Sequence, residues 1–372
     1  MLVYLDLRAL TTDNRTGVYH YSIALANALI RMHESDILSL RIFCRNNNIT
    51  ELDPKYIKVN LLTKLWSNKI FRVLRKTTCS LYLIRWIHVL FDLLPSVENW
   101  LYFRTAKVVF TPTTILNGSY FTRNFYLSIH DLQHYDRPEN FSRIEKNFRD
   151  QHFMLAIKSK CKILVSSNFV RDSLLRFDSL IDPTRIFLFR ECQTPSSLVV
   201  KCPIQSLIGC SYLYYPASYW VHKNHRIAIE FFLKLASQTE TKLKFVLTGA
   251  GKDNLIADFS DLPVNVIHLG YVNEGEKDWL YENATIVVSF SSYEASSLPL
   301  LEALRFSSRC LFPKIPPILE EKNSFQFYCF NLTSVDDFIL KSTRLLSERK
   351  HPSQIIRTWD DQVRQFLQNV AA

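Results

Sequence analysis

The sequence predicts an α/β protein with two Rossmann-like doubly wound domains. Short apolar, β-branched runs alternate with segments of helical length, which is the pattern of parallel sheets covered by helices. The 372 residues suit two domains, since domains usually contain about 100–200 residues. The composition, with 47% hydrophobic and 22% charged residues, is typical of a globular chain rather than a disordered one.

Eleven apolar runs predict strands, six in the first half of the chain and five in the second. The first six are Leu2–Leu7, Ser39–Cys44, Lys107–Phe110, Phe125–Ile129, Ile163–Ser166 and Arg185–Phe189. The other five are Tyr212–Pro216, Lys244–Thr248, Asn265–Leu269, Thr285–Phe290 and Arg309–Phe312. Helical spacing follows the first strand from Tyr19 to Ile30, and later helices are predicted at Arg226–Ser237, Glu276–Glu282 and Pro299–Phe306.

An irregular stretch with Pro195 and Pro203 interrupts this alternation and is typical of a linker. We therefore expect an N-terminal Rossmann-like domain of residues 1–195, a linker of residues 196–208 and a C-terminal Rossmann-like domain of residues 209–352. The tail, residues 353–372, carries apolar side chains along one helical face and predicts a helix that packs back on the N-terminal domain.

The net charge of +10 and the pI near 9.1 indicate an anionic partner. A nucleic acid, a membrane surface and a phosphorylated small molecule all satisfy that requirement. The basic residues are scattered rather than set beside aromatic platforms, which disfavours nucleic acid.

We expect a cytoplasmic location. The eight cysteines show no zinc-binding spacing and are expected to be reduced thiols. Residues 1–6 lack the features of a signal peptide. The most apolar segment, Leu81–Leu94, is interrupted by charged residues and is too short to span a bilayer. No metal site or cofactor is predicted.

The most informative segment for function runs from Thr285 to Leu304. A buried strand is followed by a loop with Glu294, and a helix then begins near Pro299 and carries Glu302 in its first turns. Ligands of open parallel sheets bind beyond the carboxyl ends of strands, and a helix N-terminus attracts phosphate. Carboxylates on either side of such a position would accept hydrogen bonds from sugar hydroxyls. A solvated loop glutamate and an ordinary first-turn glutamate are the alternative.

The Glu-x7-Glu spacing with Leu298-Pro299 inside it resembles the signature of the retaining GT-B glycosyltransferases of family 4, the glycosyl transferases group 1. Serines and an alanine replace the glycines that are usual there. The resemblance implies the GT-B fold, in which two Rossmann-like doubly wound domains face each other across a cleft. It also implies that residues 1–195 are the acceptor domain and residues 209–352 the nucleotide-sugar domain. The resemblance implies that Glu294 contacts the donor sugar and Glu302 the ribose. It also implies that the backbone of Ser296, Ser297 and Leu298 lies near the diphosphate.

A second stretch, Tyr214–His225, is similar to the strand-loop-(Arg/His)-Lys-(Gly/Asn) element of the same family. The resemblance assigns neutralisation of the leaving diphosphate to Lys223. Many members have an arginine six residues before this lysine, where this chain has Ala217. His222 could replace that missing contact, or be an ordinary hydrogen-bonded histidine.

Three further positions follow from the resemblance. Gly17, in a Thr-Gly-Val-Tyr turn, would let the backbone approach the diphosphate. His130, in a His-Asp-Leu stretch, would face the transferred sugar, while Asp131 and His134 would line the acceptor side or brace the loop. The backbone at Val272, after Gly270-Tyr271, would contact the nucleobase.

Residues 57–90 match no known element and alternate basic with apolar side chains. This pattern suits peripheral contact with anionic lipid, and equally a surface helix packed on its own domain. The expected function is transfer of a hexose or deoxyhexose, with mannose-like or rhamnose/fucose-like donors favoured, from a nucleotide-diphosphate sugar. The acceptor would be a glycan or lipid-linked glycan in surface-polysaccharide (O-antigen) synthesis. A non-catalytic nucleotide-sugar or membrane-surface binding protein on a decayed transferase fold is the alternative.

Overall fold

The computed structural model divides the chain into two compact units. It describes residues 1–10, 17–44, 49, 51–59, 100, 103–116, 124–159, 161–193, 201–239, 242–251, 253, 255, 262–306, 309–322, 327–350, 354 and 357–371. The first unit comprises Met1–Ser166, Val170–Arg190 and Trp359–Ala372, and the second comprises Ser167–Phe169 and Glu191–Thr358. Most of the basic stretch at residues 57–90, from residue 60 onward, lies outside the described residues.

The first unit is built on a parallel sheet with the strand order β3-β2-β1-β4-β5-β6-β7. Its strands are β1 (Leu2–Asp6), β2 (Ser39–Cys44), β3 (Ile57–Val59), β4 (Val108–Thr111), β5 (Phe125–Ile129), β6 (Lys162–Val165) and β7 (Ile186–Leu188). Strands β4 and β5 are buried along their whole length, as expected when helices cover both faces of a parallel sheet.

The second unit has its own parallel sheet, with the order β10-β9-β8-β11-β12-β13. Its strands are β8 (Ser211–Pro216), β9 (Leu243–Thr248), β10 (Val266–His268), β11 (Ile286–Val288), β12 (Cys310–Pro313) and β13 (Tyr328–Phe330). Two apolar clusters lie on the two faces of this sheet, because alternate residues of a strand point to opposite sides. Thus Leu213 and Tyr215 belong to one cluster, and Tyr212 and Tyr214 to the other.

The described residues form ten α-helices. They are α1 (Gly17–Glu34), α2 (Gln133–Asp136), α3 (Arg143–Lys158), α4 (Asn168–Phe177), α5 (His225–Ser237), α6 (Glu274–Asn283), α7 (Leu298–Arg305), α8 (Pro316–Lys322), α9 (Val335–Ser347) and α10 (Trp359–Ala371). The tail helix α10 belongs to the first unit. Arg31 of α1 pairs with Asp360, and the Trp359 ring meets Tyr21 edge-on at 5.1 Å between centroids.

The predicted fold class, two parallel-sheet Rossmann-like domains, is confirmed, and all eleven predicted strands are present with ends shifted by at most two residues. Strands β3 and β13, which contain three residues each and lie at the edges of their sheets, were not predicted. Helix α6 begins two residues before its predicted start. Asn273 and Glu276 form a capping box there, in which each side chain accepts a hydrogen bond from the other's backbone N–H.

In the described part of the chain, no helix is long and apolar enough to cross a membrane. The seven cysteines in that part are free thiols.

Candidate functional site

The candidate site of the second unit lies at the carboxyl edge of its sheet. Strands β8 and β11 are neighbours and run parallel. The loop of residues 217–224 after β8 and the loop of residues 289–297 after β11 therefore emerge side by side. This edge is where open parallel sheets bind ligands.

The two loops are joined by an ion pair between Lys223 and Glu294. The Nζ of Lys223 lies 2.6 Å from Oε1 of Glu294, and the two side chains are only 16% and 14% exposed. Lys223, predicted to bind the diphosphate, thus lies beside Glu294, predicted to bind the donor sugar. An ion pair this far from bulk water is screened much less than one on the open surface.

Hydrogen bonds from two neighbouring side chains fix the backbone around Lys223. The Tyr215 hydroxyl donates to the Lys223 carbonyl at 2.6 Å, and Asn224 Nδ2 donates to the Phe290 carbonyl at 2.8 Å. Asn224 has a φ of +51°, a left-handed conformation that asparagine tolerates better than most residues. It ends the short turn that presents Lys223 and precedes helix α5.

His222, predicted as a substitute phosphate contact, ties the two loops together through its backbone. Its carbonyl accepts a hydrogen bond from Ser292 N at 2.8 Å and another from Ser292 Oγ at 3.2 Å. The side chain is half-buried. His225 is a buried structural residue, with Nε2 donating to the Ala217 carbonyl at 3.0 Å, and burial lowers its pKa to about 4.

Helix α7 starts immediately after the Glu294 loop. Ser297 is its N-cap, is 3% exposed and accepts a hydrogen bond from Leu300 N. Leu298 and Pro299 form the first turn, where proline is favoured because it has no N–H to leave unsatisfied. The carbonyl of Ala295 accepts a hydrogen bond from Ser167 Oγ at 2.7 Å.

Ser296 contacts a buried carboxyl group that the sequence did not single out. Glu191 is 9% exposed, and burial raises its pKa to about 7, although a hydrogen bond from Ser296 acts in the opposite direction. The negative charge of Glu294 also raises this pKa, and Arg357 lowers it. The loop that carries Glu294 is therefore backed by a group that changes its charge near neutral pH.

Glu302 is held by two donors from helix α6. Lys277 Nζ lies 3.0 Å from Oε1, and the Tyr281 hydroxyl donates to Oε2 at 2.7 Å. Burial raises the pKa of Glu302, but the charge of Lys277 and the Tyr281 hydrogen bond outweigh it and hold the pKa below its usual value. Glu302 is thus a fixed, ionised carboxylate at the α6–α7 interface.

Glycines shape the neighbouring edge of the sheet, as their scarcity in the sequence suggests. Gly249 has a φ of +127°, and a Cβ added there would lie 2.6 Å from Ser218 N and 2.8 Å from the Ala217 carbonyl carbon. Gly249 N donates to the Gly270 carbonyl at 2.9 Å, and Gly270 has a φ of +75°. The half-buried Val272 follows and packs on the apolar cluster that includes Tyr212.

In the first unit, His130 and Gly17 follow the carboxyl ends of β5 and β1. His130 Nε2 lies 2.7 Å from the Pro112 carbonyl and donates to it, which leaves Nδ1 as the acceptor of the neutral ring. Burial lowers its pKa, so the ring is neutral at neutral pH. Gly17 is the first residue of α1, and a Cβ added there would meet nothing within 4 Å.

Asp131 and His134 brace the loop that follows β5. Asp131 accepts hydrogen bonds from Gln133 N at 3.0 Å and from Arg149 at 3.3 Å. His134 is fully buried beside Phe153, with Nε2 3.4 Å from Asp150 Oδ1.

Sequence reasoning missed Lys277, Tyr281 and Glu191. Lys277 and Tyr281 lie four residues apart and therefore on one face of a helix. This spacing is the feature of the sequence that could have indicated that they act together. Across the described ranges, no group of His, Cys, Asp and Glu residues is arranged to hold a metal ion.

One stretch of the chain matches a known protein family. Residues 212–359 match the protein-family model described as Glycosyl transferases group 1. No curated protein sequence matches the chain.

Several solved structures have the same fold at low sequence identity. HepE of Anabaena in complex with UDP and glucose is 10% identical, with a TM-score of 0.62 over 100% of this chain and 99% of that one. WaaG, a glycosyltransferase involved in lipopolysaccharide biosynthesis, is 12% identical, with a TM-score of 0.63 over 98% and 95%. Sucrose-phosphate synthase of Thermosynechococcus elongatus is 13% identical, with a TM-score of 0.59 over 100% and 94%. The match to the glycosyl transferases group 1 model is thus confined to residues 212–359, and the chain as a whole has the fold of GT-B glycosyltransferases.

Proposed function

We propose that the protein is a retaining glycosyltransferase. It moves a hexose or deoxyhexose from a nucleotide-diphosphate sugar to a hydroxyl of a glycan or lipid-linked glycan. The observation that carries this proposal is the Lys223–Glu294 ion pair, which lies at the carboxyl edge of a parallel sheet and directly before helix α7. A cation, a carboxylate and a helix N-terminus in one place suit a ligand with both phosphate and hydroxyl groups.

The diphosphate would bind between Lys223 and the first turn of α7. The ammonium group of Lys223 would supply a positive point charge. The N–H of Leu298 would donate a hydrogen bond to the diphosphate, and the dipole of α7 would add further positive potential. A bound diphosphate competes with Glu294 for the ammonium group. Glu294 Oε1 would then be released to accept a hydrogen bond from a hydroxyl of the donor sugar, while Glu302 accepts from the ribose.

In the transfer step, the acceptor oxygen forms a bond to the anomeric carbon on the face that the leaving group departs from. The bond between that carbon and the phosphate oxygen breaks, and the hydroxyl proton passes to the leaving phosphate. The products are the glycoside and the nucleoside diphosphate. Lys223 and the α7 N-terminus stabilise the charge that develops on the diphosphate, so the step needs no base from the protein. The neutral His130 would face the transferred sugar.

The comparisons guide the choice of donor and acceptor. HepE structures were obtained with UDP and UDP-glucose, which supports testing UDP-sugars first. The resemblance of residues 216–225 to family members favours mannose-like or rhamnose/fucose-like donors. The lipopolysaccharide role of WaaG supports surface polysaccharide, including O-antigen, as the product, with peripheral contact at an anionic membrane.

The proposal is tested by a thermal-shift screen of the full chain with UDP-, GDP-, dTDP- and ADP-sugars, followed by product analysis with a labelled donor. We expect at least one donor to stabilise the protein and to be transferred with its anomeric configuration retained. Glu294→Ala should abolish transfer. Arg226→Ala, which alters a largely exposed pair with Glu230 in the same region, should not. A folded protein that responds to no donor would favour the non-catalytic alternative, and an inverted product would contradict retention.

A further inference from the structure

Two ion pairs join helix α6 to helix α7, the helix that carries Glu302. Lys277 of α6 reaches Glu302 of α7, and the next residue, Asp278, pairs with Arg305 of α7 at 2.8 Å. Lys277 also pairs with Glu274 at 2.9 Å, one turn earlier on its own helix. The lysine therefore joins a carboxylate of the candidate site to one at the start of α6.

The hydrogen-bonding capacity of Glu302 is only partly used. An ionised carboxylate offers about four acceptor positions on its two oxygens. Lys277 occupies Oε1 and Tyr281 occupies Oε2, with one hydrogen bond each. The positions that are left match the two adjacent hydroxyls of a ribose, provided that the carboxylate stays ionised and does not rotate.

The surroundings of Glu302 would otherwise favour its neutral form. Tyr281 is wholly buried, its ring lies nearly parallel to that of Phe306, and Tyr214 packs against it edge-on. Within the described part of the chain, the charged or titratable groups that interact with Glu302 are Lys277 and Tyr281 of α6, Tyr214 of β8 and Arg305 of α7. Glu274 of α6 pairs with Lys277. Among these, Lys277 is the cation in direct contact with the carboxylate.

We propose that Lys277 is a positioning residue for donor binding, because it orients Glu302 and keeps that carboxylate charged for the ribose hydroxyls. The proposal rests on the proposed function for the ribose contact alone. The effect of Lys277 on the ionisation of Glu302 can be tested in the protein without a ligand. In that state, loss of Lys277 leaves the effect of burial unopposed by the nearest positive charge.

The first experiment needs no ligand. Selective 13C labelling of glutamate carboxyls in the full chain, with Glu302→Gln to assign the signal, follows the ionisation of Glu302 against pH. We expect Lys277→Met to raise the pKa of Glu302 above that in the wild type, and Lys277→Arg to restore it. Asp278→Asn, one residue along and on the same pair of helices, should not raise it. An unchanged Glu302 titration in Lys277→Met overturns the proposal, whatever the protein binds.

The second experiment measures the affinities of UDP, GDP and ADP, and of the 2′-deoxy form of the best binder, between pH 5 and pH 8. Lys277→Met should weaken the ribonucleotide about tenfold, increasingly so as the pH falls, and should narrow its advantage over the 2′-deoxy form. Lys277→Arg should recover most of the affinity. If Asp278→Asn weakens binding equally, Lys277 acts only through the packing of α6 on α7 and the proposal fails. If the wild type binds none of the three while Glu302 titrates as expected, the proposed function fails instead.

Discussion

The Nζ of Lys223 lies 2.6 Å from Oε1 of Glu294, although the two residues are separated by 71 positions in the chain. Both side chains are largely shielded from solvent, so each charge is stabilised mainly by its partner rather than by water. Removal of one partner from such a pair leaves a shielded, uncompensated charge. The pair therefore links the stability of the site to its chemistry.

We predict that Lys223→Ala and Glu294→Ala each lower the free energy of unfolding by about 1–3 kcal/mol. The double variant should lose less than the two single losses combined. Transfer should fall by at least about a hundredfold in each single variant. Urea denaturation and initial rates with a labelled donor measure the two effects. Additive stability losses would mean that the ion pair does not form in solution, and near-native transfer by either variant would remove the residue from the site.

The sequence predicted both members of this pair but not their contact. Glu294 and Lys223 each lie in a continuous stretch with a recognisable pattern, since both follow a buried strand and precede a helix. Their contact depends on β8 and β11 being neighbours. That strand order is a property of the whole sheet and cannot be derived from either segment.

Lys277 and Glu191 were missed for a related reason. A lysine in the first turns of an acidic helix has the pattern of an ordinary surface residue, and only the packing of α6 on α7 brings it to Glu302. Glu191 lies at the edge of a stretch that was expected to be a linker. Its burial next to Ser296 comes from contacts with residues more than a hundred positions away.

Glu191 should make the stability of the second unit fall as the pH rises. Burial raises its pKa from 4.5 to about 7. Its protonated form therefore contributes fully below pH 4.5, and the contribution is lost as the pH rises through about 7. The loss amounts to about 3 kcal/mol. Glu191→Gln should remove this slope and exceed the wild type in stability at pH 8. Urea denaturation from pH 4 to pH 8 measures this, with the exposed Glu139→Gln as a control. Identical pH slopes in the wild type and Glu191→Gln would show that Glu191 is solvated.

His225 should give the opposite dependence. Burial lowers its pKa from 6.5 to about 4, and the ring stacks on Tyr215 at 5.2 Å. The unfolded chain takes up a proton as the pH falls below 6.5, whereas the folded chain does so only near pH 4. Stability is therefore complete above pH 6.5 and decreases by about 3 kcal/mol as the pH falls to 4. His225→Gln keeps a donor for the Ala217 carbonyl and should lack this acid-side loss. The prediction is wrong if the acid limbs of the two stability curves coincide.

Gly249 and Gly270 separate two costs of replacing a glycine. Both have positive φ, but an added Cβ would collide with backbone atoms at Gly249 and meet open space at Gly270. We expect Gly270→Ala to lower the free energy of unfolding by about 1–2 kcal/mol, from strain alone. Gly249→Ala should cost about 3 kcal/mol or more, because the loop of residues 217–219 must also move. Equal losses of the free energy of unfolding in chemical denaturation would mean that the backbone at Gly249 is not in close contact with the loop of residues 217–219 in solution.

Gly17 provides a test that separates a structural role from a functional one. It begins helix α1, its φ is not positive and a Cβ added there meets nothing within 4 Å. Because alanine has a higher helix propensity than glycine, Gly17→Ala should raise the free energy of unfolding by up to about 1 kcal/mol. The resemblance in sequence implies that the backbone at Gly17 approaches the diphosphate, so the added methyl group should weaken donor binding by about fivefold or more.

Both quantities come from one variant, by chemical denaturation and by calorimetric titration with the donor that the wild type binds. Gain of stability with loss of affinity is the combination that a purely structural glycine does not produce. Gain of stability with unchanged affinity would instead remove Gly17 from the donor site and leave the second unit as the source of its phosphate contacts.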